Sequence, residues 1–245
     1  MAASITLKDL NELDMAVLCE IVSFGALTDD QIARRYFDEP TLAGWRLGML
    51  HDGGFVACQP NWIKGATVYW ATAEGHRVSG LGLRPFAQGQ PSLVTLRHNL
   101  AVVDLADYLL DQDPSADWRT ERKLGRVLGV RAVDRLVGLG GRDGHRPDGL
   151  LLADGKRVAV ELEHTMKPET EYTSICRWYA AATRIDAMRW FVDHGKTERR
   201  IKQVLDANGL TADLDVTVER FPPGVAIRPW IGSFTPPPEG LACEE

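Results

Sequence analysis

Two glutamates one residue apart, Glu161 and Glu163, end the run Arg157-Val-Ala-Val-Glu-Leu-Glu163, whose apolar and β-branched character reads as a strand. Alternate side chains of a strand share a face, so both carboxylates point one way while Val160 and Leu162 face the core. Like charges so placed repel, and a divalent cation shared by several carboxylate oxygens, or a basic neighbour, resolves the repulsion. Asp148 follows Pro147 at the mouth of the apolar run Leu150–Leu152, and the turn signal Asp154–Gly155 folds that run back onto the Glu161 strand. Asp148, Glu161 and Glu163 are therefore candidate metal ligands. Glu121, set among Arg119, Arg122 and Lys123, adds a carboxylate from a helix, and Lys167 or Lys123 can supply an ammonium. With magnesium such a set could hydrolyse a phosphodiester, the ion activating water and neutralising charge on the phosphate. The competing reading of an isolated Glu-x-Glu is a solvent-facing strand edge paired with Arg157 or Arg177.

The elements that position these groups are legible around them. An amphipathic helix is expected over residues 93–110, its apolar face running from Leu93 through Leu96, Leu100, Val103 and Leu105 to Leu109. Beyond the Glu161 strand, Tyr172, Ile175, Trp178, Tyr179, Ala182 and Ile185 keep helical spacing and should pack on the sheet. Met188–Val192 reads as the next strand, Lys196–Leu205 as a basic helix and Leu214–Val218 as an edge strand. The Pro-rich tail over 235–245 is expected to be loose.

The first eighty residues have a different rhythm. Leu13, Val17, Leu18, Ile21 and Val22 mark a helix from Asn11 to Phe24 closed by Gly25, and Thr28 with Gln31 forms a capping box for a second. Pro40 opens a third, ended by His51-Asp-Gly-Gly54; strand-like runs at 55–59 and 66–72 then form a hairpin. Three helices and a hairpin make the winged helix-turn-helix order, assigned to residues 10–80, with Leu47–Val56 and Tyr69–Gly75 resembling bacterial winged-helix regulators. Candidate DNA contacts are Arg34, Arg35, Thr41, Arg46 and Lys64. Yet residues 1–80 hold six basic against ten acidic side chains, a poor start for phosphate binding. A winged helix used for packing or dimerisation is the alternative. The Gly- and Pro-rich stretch at 81–92 reads as a linker to an α/β domain over 93–234.

The order Glu121, Pro147-Asp148, hairpin, Glu161-x-Glu163 resembles the PD-(D/E)XK nuclease superfamily. Joined to the N-terminal winged helix, His145-x-Pro-Asp-Gly149, Val158-Ala-Val-Glu-Leu-Glu163, a nearby lysine and a tyrosine-bearing helix, it is similar to the replication-relaxation family of actinobacterial plasmids and mobile elements, over residues 10–200. The resemblance implies an α/β (α+β) restriction-endonuclease-like domain, magnesium, and action on DNA with replication or transfer proteins. The superfamily's third motif ends in Lys, where this chain has Glu163; Lys167 is the nearest substitute.

Across all 245 residues there are 28 Lys and Arg against 34 Asp and Glu, a net charge of −6, so bulk charge gives no argument for nucleic acid. The four cysteines are scattered, which argues against a disulfide framework or zinc site and for a cytoplasmic protein. Neither a signal peptide nor a membrane span is expected. The chain lacks P-loop, GxGxxG, HExxH and GxSxG motifs, which removes nucleotide hydrolysis and the commoner hydrolase chemistries. Three expectations remain: a DNA-processing factor of plasmid replication or transfer, a non-enzymatic regulator whose α/β domain dimerises, and an accessory subunit.

Overall fold

The computed structural model describes residues 6–63, 65–126, 145–209 and 214–222. Lys64 and the 235–245 tail lie outside them. The chain is mixed α/β and divides into two compact units between Leu100 and Ala101.

In the first unit α1 (Glu12–Phe24) is capped by Asn11, whose side chain accepts from Asp14 N at 2.9 Å while Asp14 accepts from Asn11 N. A short strand β1 (Ala26–Thr28) follows, and the capping box opens α2 (Asp29–Tyr36): Thr28 Oγ1 accepts from Gln31 N and Gln31 Oε1 from Thr28 N, each at 3.1 Å. Pro40 begins α3 (Pro40–Asp52). The hairpin β2 (Val56–Ile63) and β3 (Ala66–Ala71) leads into α4 (Ala73–Ser79), and the antiparallel sheet has the order β1-β3-β2. Its core joins Ala26, Trp62, Ile63, Val68 and Trp70 to Leu96 and Leu100.

The 81–92 segment belongs to this first unit rather than spacing two domains apart. Leu83 is buried and its carbonyl lies 2.9 Å from His76 Nδ1, while Trp70 Nε1 donates to Gly89 O at 2.8 Å. A Gly/Pro-rich composition removes local periodicity without preventing a segment from being pinned by tertiary hydrogen bonds. The division instead falls within α5 (Leu93–Gln112).

The second unit is a five-stranded mixed sheet of order β4-β5-β6-β7-β8. Its strands are β4 (Asp117–Thr120), β5 (Gly149–Ala153), β6 (Lys156–Glu163), β7 (Ala187–Val192) and β8 (Asp215–Arg220). Strands β4, β5 and β6 are antiparallel, whereas β6, β7 and β8 are parallel. Crossover helices α7 (Glu169–Ala180) and α8 (Gly195–Ala207) make the parallel connections, as such pairing requires. Between β4 and β5 in sequence lies α6 (Glu121–Arg126). One buried layer joins Leu150, Ala159, Met188 and Trp190 of the sheet to Tyr172, Ile175, Cys176 and Tyr179 of α7 and Ile201, Val204 and Leu205 of α8. No helix among the described residues is long and apolar enough to cross a membrane.

Candidate active site

The β5–β6 hairpin turns through Asp154 and Gly155, with φ of 50° and 73°; two successive positive φ angles are what a tight two-residue hairpin needs, and Asp-Gly supplies them cheaply. This turn sets the register Gly149↔Val160, so one step further Asp148 stands opposite Glu161. On the other side Thr120 pairs with Gly149, and Glu121, the first residue of α6, follows Thr120 directly. Asp148, Glu161 and Glu163 thus form a carboxylate row at the end of the β5–β6 hairpin, while Glu121 opens α6 where β4 ends beside Gly149. Gly149 permits the close packing beneath the row: a Cβ there would fall 1.9 Å from the Trp118 ring. Asp148 also prolongs the ladder with its side chain, its Oδ2 accepting from Leu162 N at 2.7 Å.

Glu161 and Glu163 are only 4% and 3% exposed, and Val160 and Leu162 between and before them are buried too. The alternation expected from sequence is present, but β6 is a central strand covered on both faces. The carboxylates share the face of Ala159 that α7 covers. A solvent-facing edge paired with Arg157 or Arg177 is therefore excluded: Arg157 donates instead to the Arg184 carbonyl, and its backbone N–H to Asp186.

Each buried carboxylate has dedicated partners. Glu161 Oε1 accepts from the Tyr179 hydroxyl and lies 2.6 Å from His145 Nε2. Glu163 Oε2 lies 2.7 Å from Lys167 Nζ, and its Oε1 accepts from Thr165 N at 3.3 Å. Lys167 thus brings its ammonium to the Glu163 carboxylate. Burial opposes the protonation of His145, but Glu161 outweighs it and holds the imidazole pKa above its ordinary value. Burial likewise opposes the Lys167 charge and is overcome by Glu163, with Glu161 and Asp148 adding to the effect. Burial pushes the Glu163 carboxyl up despite Lys167, and raises the Tyr179 hydroxyl well above the phenolic range, with Glu161 contributing. These mutual effects put Asp148, Glu161, Glu163, Lys167, His145 and Tyr179 within one electrostatic neighbourhood.

His145 and Tyr179 were not singled out from the sequence. His145 stands three residues before Asp148 in the quoted His-x-Pro-Asp run, and Tyr179 lies on the aromatic face assigned to the core; neither position declares a carboxylate partner. Among the described residues no group of three or more His, Cys, Asp or Glu side chains is arranged to hold a metal. Alongside the site opens a cleft of about 540 Å³ that reaches His145 and Lys167 and is walled by α7.

The candidate DNA contacts of the first unit have different environments. Arg34 and Thr41 are exposed. Arg35 pairs with Glu20 and lies over the Phe24 ring at 4.8 Å. Arg46 Nε and Nη2 donate to the two carboxylate oxygens of Asp14, which is wholly buried, tying α3 to α1. Meanwhile α3 exposes two large apolar side chains, Leu42 and Trp45, at 49% and 59%.

No family model and no curated protein matches this chain.

Proposed function

We propose that the second unit is a PD-(D/E)XK-like, magnesium-dependent deoxyribonuclease that nicks DNA, in a cytoplasmic protein of plasmid or mobile-element replication or transfer whose first unit is a winged helix. The observation that carries this reading is the pair of buried carboxylates Glu161 and Glu163 on a central strand, with Asp148 bound to Leu162 N between them and Lys167 paired with Glu163. Burying carboxylates is costly unless their charge is matched, so their retention on a covered face points to chemistry rather than solubility. The antiparallel hairpin followed by a parallel crossover strand, and a β2–β3 hairpin that follows three helices and pairs with β1, support the two fold assignments.

Magnesium is commonly held by one or two carboxylates, several waters and substrate phosphate oxygens, so Asp148 and Glu161 fit it without a third protein ligand. When bound there, the ion would supply an activated water and neutralise phosphate charge. Tyr179 and His145 fix the orientation of Glu161. Glu163 keeps Lys167 charged and aimed, and the ammonium stabilises the negative charge that grows on the phosphate.

Supercoiled plasmid incubated with magnesium or manganese should be converted to open circles by the unaltered protein. Asp148→Ala and Glu161→Ala should each lower that rate by about 10²-fold or more, the scale of losing one preorganised electrostatic contact. The nuclease reading fails if nicking is absent or if both variants nick at the unaltered rate.

A second reading concerns the first unit, and the neutralised Arg35 and Arg46 together with exposed Leu42 and Trp45 favour it: α3 contacts a protein, as in an accessory subunit or a dimerising regulator. A gel shift on duplex DNA titrated with salt separates the two, because phosphate contacts strengthen as salt falls. Retention of DNA by residues 1–100 at low salt would count against the protein-contact reading; no shift even there would count against DNA binding by this unit.

A further inference from the structure

The cleft beside the carboxylate row is lined by His145, Lys167, Ser174, Ile175, Arg177 and Trp178. Two of these touch the site directly, since His145 contacts Glu161 and Lys167 contacts Glu163. The other four rise along one side of α7, so the cleft runs from the carboxylates outward over that helix. Its volume of about 540 Å³ falls within the range of sites that enclose one small ligand.

Its chemistry is uneven in an informative way. Trp178 is half-buried and held by edge-on contacts to His145 and Tyr179, with ring centroids 5.5 and 5.0 Å away and interplanar angles of 81° and 90°. Both ring pairs are close to perpendicular rather than stacked. Arg177 is exposed and, among the described residues, has no ion-pair partner. Glu171 also lines the cleft and Lys167 is paired with Glu163, which leaves Arg177 as the lining cation for a phosphate. A fixed indole beside a guanidinium and a hydroxyl, Ser174, suits a nucleobase with its phosphate.

We propose that this cleft receives one unpaired nucleotide flanking the cleaved phosphate, its base against Trp178 and its phosphate at Arg177, so that the substrate is single-stranded DNA or an unpaired flap. Only an unstacked base can offer its face to a side chain; within a duplex both faces are covered by neighbouring bases. The assignment of the cleaved phosphate rests on the nuclease reading, while the nucleotide site stands on the cleft itself.

The probe is a fluorescently labelled oligothymidylate, compared by anisotropy with a blunt duplex of the same length, with calcium replacing magnesium. Single strands should bind the full-length protein about tenfold or more tightly than duplex. Trp178→Leu, which keeps apolar bulk against the core, should lose about tenfold on the single strand and little on the duplex. Arg177→Gln, at an exposed position, should weaken single-strand binding and flatten its dependence on log salt by about 0.7, the loss of one phosphate contact. Equal affinity for duplex and single strand, or single-strand binding indifferent to Arg177→Gln, overturns the proposal. So does unchanged binding by a Trp178→Leu protein that melts as the unaltered one does; if that variant unfolds, Arg177→Gln decides. Absence of plasmid nicking with single-strand binding intact overturns the nuclease reading alone. Nicking that persists while duplex and single strand bind equally overturns the cleft alone.

Discussion

Lys167→Ala should reduce metal-dependent plasmid nicking by about 10²–10³-fold, the range for removing a preorganised charge from a reacting centre. The same change leaves Glu163, 3% exposed, without its cation at 2.7 Å. Stripping the partner from a buried ion pair costs up to about 3–5 kcal/mol, and the expectation here is nearer 1–3, because Lys167 retains 31% exposure and the buried carboxyl can take up a proton. Loss of activity and loss of stability are separable. Glu163→Gln combined with Lys167→Met removes both charges, and such neutral replacements of buried pairs are often close to neutral in stability. The double variant should therefore regain most of the urea-unfolding stability while staying inactive. Recovery of nicking along with stability would show that Lys167 acts only as the counterion of Glu163 and would remove it from the catalytic set.

Arg46→Ala should destabilise the protein by about 3–5 kcal/mol, the largest stability effect expected in the first unit. Asp14 is fully buried, and the Arg46 fork meets both of its oxygens. The hydrogen bond from Asn11 N remains, but a backbone donor does not replace a full positive charge. Asp14→Asn with Arg46→Met, which keeps the stem packed, should recover most of that loss in urea unfolding. Had Arg46 served as a phosphate contact, the signature would differ: duplex affinity would fall, with a salt slope reduced by about 0.9, and stability would scarcely change. Measuring both on Arg46→Met and on exposed Arg34→Ala assigns each side chain to the fold or to a partner.

What could be seen in the sequence followed the reach of each interaction. The Thr28–Gln31 box and the Asp154–Gly155 turn act over two or three residues, and both stand where local chemistry puts them. The strands β1 and β4 are three and four residues long, too short for alternation to register in the sequence. Alternation along β6 revealed that Glu161 and Glu163 share a face, but not that α7, which starts six residues after Glu163, covers it. Partners far off in the chain were the least legible. Arg46 and Asp14 are joined across 32 residues and His145 and Glu161 across 16. A charged side chain gives no local sign of whether it will meet solvent, phosphate or a buried carboxylate.

The tight turn at Asp154–Gly155 also bears on the order in which the sheet assembles. Closing a two-residue loop forfeits far less chain entropy than the parallel pairing of β6 with β7, which must wait for the crossover through residues 164–186. Asp148 and Glu161 can thus be brought face to face while water still surrounds them. Tyr179, carried on the crossover, arrives only as that water leaves, so the electrostatic penalty of the row falls late, on the unfolding side of the barrier. Sequence changes in α7 should then be felt mainly as faster unfolding, and changes in the turn as slower folding.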